Sequence, residues 1–250
     1  MVDLSVNLNV AALLRNRRNQ PWPDVVGLGR IALKAGAAGL TVHPRPDERH
    51  AKASDVRALR TLISNEFPDR ELNVEGYPND RFLELVREVA ADQVTLVPDG
   101  PDQETSDHGW DFIEDGNMLR GIVGELKSNG HRVSLFADAD ARIVPAAAAT
   151  NTDRVELYTG PFGAAHGDDA MQNLALDALA SAAEAAKAAG LDVNAGHDLT
   201  VPNTAVLVSR VSYLAEVSIG HALFCDALTY GMEETVKRYL ASCGSVANSQ

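Results

Sequence analysis

A parallel (β/α)8 barrel is the fold this sequence predicts, and three observations predict it. Strand-like and helix-like patterns alternate through eight units along 250 residues; no Pro/Gly/Ser-rich linker or composition break divides them, so residues 1–250 read as one barrel domain; and three of the strand-like runs end at a titratable side chain. Those three are GLTVH at 39–43, LNVEG at 72–76 and VNAGH at 193–197. In such a barrel the carboxyl ends of the strands surround one pocket, so acids and bases far apart in the chain converge there.

The elements follow in order. Apolar residues in extended alternation predict a first strand over 4–9. Helical spacing predicts a helix over 24–35, with Gly36 placed to take the left-handed conformation that ends it. A second strand over 39–43 is stopped by Pro44 and Pro46, and a helix over 54–65 leads to a third strand over 71–75. A helix over 80–91 precedes a fourth strand over 93–97; a helix over 112–129, closed by Gly130, precedes a fifth over 132–137. A helix over 140–149 and a sixth strand over 154–159 come before an Ala-rich helix over 169–189, closed by Gly190. Its Met171, Leu174, Ala178, Ala182 and Ala185 recur at a spacing of 3–4, which marks an amphipathic helix packed on the sheet and not a low-complexity tract. A seventh strand over 192–195, a helix over 202–209, an eighth strand over 215–219 and a final helix over 222–241 complete the series.

Composition narrows the function. At 45% hydrophobic and 23% charged, the chain can bury a large core. A formal net charge of −13 argues against nucleic acid as the main partner, so an anionic ligand has to be held by a local site. No apolar run approaches the roughly 18 residues of a membrane span. The opening Met1-Val2-Asp3-Leu4 lacks the basic and apolar regions of a signal peptide, and a cytoplasmic location is expected. Cys225 and Cys243 are the only cysteines and are expected to rest as reduced thiols.

The chemistry gathers at the strand ends. His43 precedes Pro44-Arg45-Pro46-Asp47-Glu48-Arg49-His50, so two histidines and two arginines crowd one stiffened loop; a solvated charged loop would give the same pattern. Glu75 stands where its strand leaves the core, and a partly buried carboxyl there would have a raised pKa and exchange protons near neutrality. His197 follows Gly196, which permits close backbone approach to a ligand, and has polar neighbours in Asn194, Asp198 and Thr200. Gly220 feeds a helix whose first turn presents free N–H groups and the positive end of the dipole to an anion. Gly196 and Gly220 lie on the loops after strands seven and eight, where barrels hold phosphate; a tight turn is the other reading of each. Arg15, Arg17 and Arg18 follow strand one, and at least one is placed to reach a phosphate.

Several of these stretches stand together in one order: VNLN at 6–9, LRNRR at 14–18, GLTVHPRPDERH at 39–50, LVP at 96–98, SLFADAD at 134–140, NAGH at 194–197 and IGHA at 219–222. From residue 6 to about 240 the chain resembles the pyridoxine 5′-phosphate synthase family of vitamin B6 biosynthesis. The resemblance implies a (β/α)8 barrel assembled as an octamer built from dimers. It also implies condensation of 1-deoxy-D-xylulose 5-phosphate with 3-amino-2-oxopropyl phosphate, releasing inorganic phosphate and water without metal or organic cofactor. By position it makes His43 a proton acceptor, Glu75 a second acid/base and His197 a proton donor. It places Asn7, Arg18, Gly220 and His221 at the amino-ketone phosphate, and Arg45, His50 and Thr105 at the pentulose phosphate.

The chain departs from the family pattern at three places. The usual Asp-His pair reads Asn9-Val10, the Thr-Glu-Gly-Gly loop reads Ser106-Asp107-His108-Gly109, and the glycine after the catalytic histidine is Asp198, kept as a ligand position through its backbone N–H. The Asp-, Gly- and Pro-rich segment 98–111 is expected to be a lid that excludes water, with Thr105 donating to the ligand and Asp99, Asp102, Glu104 and Asp107 facing solvent; a loose acidic surface loop is the other reading. Two other functions share part of the signal. One is a different phosphate-handling barrel isomerase or lyase, although an aldolase would want a strand-end lysine and no strand ends in one; the other is a catalytically silent paralogue that only binds phosphorylated metabolites.

Overall fold

The computed structural model describes residues 1–18, 20–100, 103 and 105–244 and closes its strands into the expected parallel barrel. In chain order these are β1 (Asp3–Asn7), β2 (Gly39–Val42), β3 (Glu71–Gly76), β4 (Gln93–Leu96), β5 (Arg132–Ala137), β6 (Arg154–Tyr158), β7 (Asp192–Gly196) and β8 (Leu214–Ile219). Each pairs in parallel with the next, and β8 returns to β1 with Ile219 opposite Val6, so no edge is left unpaired. The helices are α1 (Asn9–Asn16), α2 (Val25–Lys34), α3 (Ala53–Glu66), α4 (Asp80–Val89), α5 (Gly116–Ser128), α6 (Val144–Ala148), α7 (Gly160–Ala164), α8 (Asp169–Ala188), α9 (Val201–Arg210), α10 (His221–Tyr230) and α11 (Met232–Ser242).

Local sequence accounts for the boundaries. Gly36, Gly130 and Gly190 have positive φ and follow α2, α5 and α8, as their chemistry predicts. Asn79 caps α4 by accepting from the Phe82 N–H, and Thr200 and Asn203 cap α9 reciprocally. The first strand ends two residues earlier than expected, because Asn7 Oδ1 accepts the Asn9 N–H at 3.0 Å and turns the chain into α1. That helix escaped the pattern because only Ala11 and Ala12 on it are buried. The helix expected over 112–129 starts at Gly116, since Asp111 accepts the N–H groups of Ile113 and Glu114 in a turn; Asp140 likewise holds Arg142 and shortens the one expected over 140–149 to α6. The single helix expected over 222–241 is two, broken at Gly231 with φ +76°.

The strand alternation sorts the interior into two environments. One face of each strand meets the helices, where Leu4, Val6, Leu40, Val42, Leu72, Val74, Val94, Leu96, Val133 and Leu135 are wholly buried. The other face points into the barrel and is polar: Ser5 bonds Thr41 at 2.7 Å, Asn73 donates to Thr41 at 3.3 Å and Thr95 donates to Asn73 at 3.1 Å. Gln93 of β4 reaches Glu216 of β8 across the barrel at 3.3 Å, and Arg154 bridges Gln93, Asn194 and Glu216. The apolar core is therefore a shell between sheet and helices, and the barrel axis is a hydrogen-bonded column.

Candidate active site

At the carboxyl ends of the strands lies a cavity of about 530 Å³. Its lining includes Asn7 and Asn9 from the end of β1, His43, Arg45 and His50 after β2, Glu75 on β3, Thr105 after β4, Glu156 on β6, His197 and Asp198 after β7, and Gly220 and His221 after β8. Of the residues expected from the sequence, all but Arg18 are brought together here. Arg18 is exposed and outside the lining, and Arg15 is engaged with Asp55 through two hydrogen bonds, so neither faces this cavity.

His43 is 5% exposed, and its N–H donates to Asn9 Oδ1 at 2.8 Å, so the departure at position 9 pins the backbone of this histidine. Burial, then the charges of His50, Arg45 and Arg49, push its imidazole well below the ordinary histidine range. It is a neutral base at neutral pH. His50 meets it edge-on at 5.6 Å and is itself pushed down to about 4 by burial and the same arginines. Glu75 shows the opposite displacement: burial, then the charges of Glu156, Asp99 and Glu216, raise its carboxyl well above the ordinary range, so it holds a proton near neutrality. Asn7 Nδ2 approaches Glu75 Oε2 at 3.4 Å, and the bond from the Asn9 N–H to Asn7 Oδ1 sets which end of that amide faces the glutamate.

Glu156 went unpredicted. It is 3% exposed, and burial with the charge of Glu216 pushes it up to about 8, although the nearby Thr95 hydroxyl pulls it back. Gly196 makes room for it, since a Cβ there would lie 2.5 Å from Glu156 Oε1. A glutamate between Val155 and Leu157, on the inward parity of an apolar strand, was the available signal.

His197 and its neighbour are held in a conformation that L-residues seldom adopt, with φ +95° at His197 and +55° at Asp198. The second value gives a physical reason for a glycine at that place in the family pattern; aspartate tolerates the left-handed region better than most residues. Thr159 Oγ1 bonds the carbonyls of Gly196 and His197 at 2.6 and 2.5 Å and secures the strained turn. The ring sits with Nε2 2.9 Å from Thr105 Oγ1, Nδ1 3.2 Å from Asp198 Oδ2, and an edge contact to Tyr158 at 5.2 Å. His197 in turn holds the exposed Asp198 carboxyl below its ordinary range.

The ten-residue α10 starts at the cavity with no side chain capping it, its first residues Gly220, His221 and Ala222 all in the lining. Asn7 packs on Gly220 so closely that a Cβ there would lie 3.2 Å from Asn7 Cβ. The arrangement suits an anion at the helix N-terminus.

Thr105 and Ser106, after β4, line the cavity, and among the described residues near them one expectation is corrected. Asp99 does not face solvent: it is buried against Arg45, whose Nη1 donates to it at 2.6 Å while Nη2 donates to the carbonyls of Gly100 and Gln103. A buried guanidinium needs a counter-charge, and Asp99 supplies it. Asp107 is exposed as expected; Asp102 and Glu104 lie outside the described residues. Among the described residues no group of three or more His, Cys, Asp or Glu side chains could hold a metal ion.

Residues 4–245 match the family model described as pyridoxal phosphate biosynthesis protein PdxJ. The chain is 59% identical over 241 residues to the pyridoxine 5′-phosphate synthase of Mesorhizobium japonicum, covering 96% of this chain and 98% of that protein. It is 60% identical over 239 residues to the one of Brucella anthropi, with 96% and 98% covered. Among solved structures, the YdjI aldolase of Escherichia coli superposes with a TM-score of 0.66 at 10% identity, covering 100% of this chain and 93% of that one. Phosphoribosyl anthranilate isomerase of Thermotoga maritima does so with 0.63 at 12%, covering 98% and 100%. The last two likenesses show the barrel alone. The match along nearly the whole chain, with relatives at about 60% identity, shows that this protein belongs to the PdxJ family of pyridoxal phosphate biosynthesis proteins.

Proposed function

We infer that this chain condenses 1-deoxy-D-xylulose 5-phosphate with 3-amino-2-oxopropyl phosphate to pyridoxine 5′-phosphate, inorganic phosphate and water, as a pyridoxine 5′-phosphate synthase. One observation carries the assignment of the site: His43, Glu75 and His197, at the carboxyl ends of three different strands, line one cavity in environments that push the first two out of their ordinary ranges in opposite directions. Imine formation, dehydration, phosphate elimination and aldol-type ring closure each move a proton at a different atom of one bound intermediate. Neutral His43 accepts, protonated Glu75 donates and later accepts, and His197 protonates a departing oxygen. Asn7, Gly220 and His221 hold the amino-ketone phosphate at the start of α10; Arg45, His50 and Thr105 hold the pentulose phosphate, and Asp198 offers its backbone N–H. In this mechanism the lid after β4, whose Thr105 meets His197, keeps water from the imine.

Arg18, outside this cavity, serves the amino-ketone phosphate from a neighbouring subunit. Exposed Leu14 (57%) and Trp22 (64%), close to it in sequence, support a homo-oligomer, an octamer, which light scattering would test. Free thiols at Cys225 and Cys243 support a cytoplasmic location. Incubating the purified chain with both phosphates should give pyridoxine 5′-phosphate, followed by its absorbance. Binding of both without product would favour the silent paralogue instead.

A further inference from the structure

Asp99 stands at the wall behind the reaction cavity. Its side chain is 3% exposed; Oδ2 accepts Arg45 Nη1 at 2.6 Å and Ser106 Oγ at 2.8 Å and lies 4.0 Å from His43 Nε2, while Oδ1 is buried with no partner among the described residues. His43 and Arg45 line both the reaction cavity and a second one of about 440 Å³, whereas Asp99 lines only the second. The carboxylate thus faces base and guanidinium from the side away from substrate.

We propose that Asp99 is a positioning residue that changes partner: it pairs with Arg45 while the site is empty and turns to His43 Nε2 when a substrate phosphate takes Arg45. The proposal rests on the reading of Arg45 as a ligand of the pentulose phosphate. Arg45 is buried, with Nη1 donating to Asp99 and both hydrogens of Nη2 to Gly100 and Gln103, so an arriving dianion shares one guanidinium with the carboxylate, and two anions on one buried cation repel. The second acceptor is close. Closing 4.0 Å to hydrogen-bond distance takes a movement of about 1 Å.

The exchange would change the base. The charged and titratable groups facing His43 are Arg45, Arg49 and His50 on its own loop, which disfavour its cation, Asp99 on the loop after β4, and Glu75 on β3 across the cavity. A carboxylate in contact with Nε2 favours the imidazolium. His43 then becomes a competent proton acceptor only once the pentulose phosphate is seated, which prevents abortive proton removal from the amino ketone alone.

The test is NMR titration of His43 in the histidine-labelled full chain, with inorganic phosphate as the probe. In the parent chain saturating phosphate should raise the His43 pKa by about one unit or more. Asp99→Asn keeps the shape and an acceptor for Arg45 but not the charge. It should bind phosphate at least as tightly, lose most of that rise, and turn over about tenfold more slowly without an increase in KM for the pentulose phosphate. Ser106→Ala keeps the carboxylate and loosens its hold on the empty-state position, so it should bind phosphate several-fold more tightly with the rise intact. An undiminished rise in Asp99→Asn, or weaker phosphate binding in Ser106→Ala, overturns the exchange. If Arg45→Gln leaves phosphate affinity unchanged, the reading of Arg45 fails and the exchange with it. Binding that depends on Arg45 but leaves His43 unmoved defeats the exchange alone.

Discussion

Replacing Glu156 with glutamine should make the protein more stable, by an amount that depends on pH in a defined way. The folded chain holds this carboxyl at about 8, whereas in the unfolded chain it returns to the ordinary value near 4.5. Between those values the folded state keeps a proton that the unfolded state has released. Stability from this group therefore falls as pH rises from about 4.5 and levels off above about 8. Each unit is worth about 1.4 kcal/mol, so the window from about pH 5.5 to 7.5 corresponds to about 3 kcal/mol. For a chain of this size that is roughly 6–12 °C in Tm. Glutamine is isosteric and fits the space Gly196 leaves, so packing stays constant. Thermal unfolding of both proteins at half-unit pH steps gives the difference curve, in which titrations common to both cancel. The expected curve rises from near zero below about pH 4 to a plateau above 8. A flat difference would refute the idea that Glu156 is buried as the acid.

Four further outcomes are expected. His43→Ala and Glu75→Gln should each reduce turnover by about 10²–10⁴-fold with an unchanged circular dichroism spectrum, and near-normal turnover in either would remove that residue from the mechanism. Gly196→Ala should destabilise the fold by about 1–3 kcal/mol in denaturant unfolding, because its methyl meets Glu156 Oε1 at 2.5 Å, and a neutral result would mean the carboxyl moves aside freely. Crystals grown in sulfate should show an anion on the backbone N–H groups at Gly220 and His221; anions bound only elsewhere would count against that site. Amides at 105–108 should gain protection from hydrogen exchange when 1-deoxy-D-xylulose 5-phosphate binds, and equal protection with and without it would make the segment a static wall.

Strand ends were the most legible part of this sequence, since a run such as GLTVH marks both the buried segment and the point where it meets solvent. Helix ends at Gly36, Gly130 and Gly190 were legible because one residue type performs that task. Glu156 and Asp99 were not, for a shared reason: the state of a buried carboxyl depends on groups distant in the chain, the like charge of Glu216 for one and the guanidinium of Arg45 for the other. The polar barrel axis was hidden in the same way, because Gln93 and Glu216 are 123 residues apart. Arg18 shows the opposite limit, a cationic side chain near the right strand that lies in the turn beyond α1 and is exposed outside the cavity lining.

The contact between Asn7 and Gly220 sits on the seam where the last strand closes onto the first. Half of the proposed amino-ketone phosphate site is thus made early in synthesis and the other half only after more than two hundred further residues. A growing chain on the ribosome has no such site until β8 docks beside β1, so ligand capture and ring closure are the same event. Any rearrangement that opens the chain elsewhere and joins its present ends would keep the site only by preserving that one seam, whereas a cut between β8 and α10 would take the helix terminus away from its asparagine.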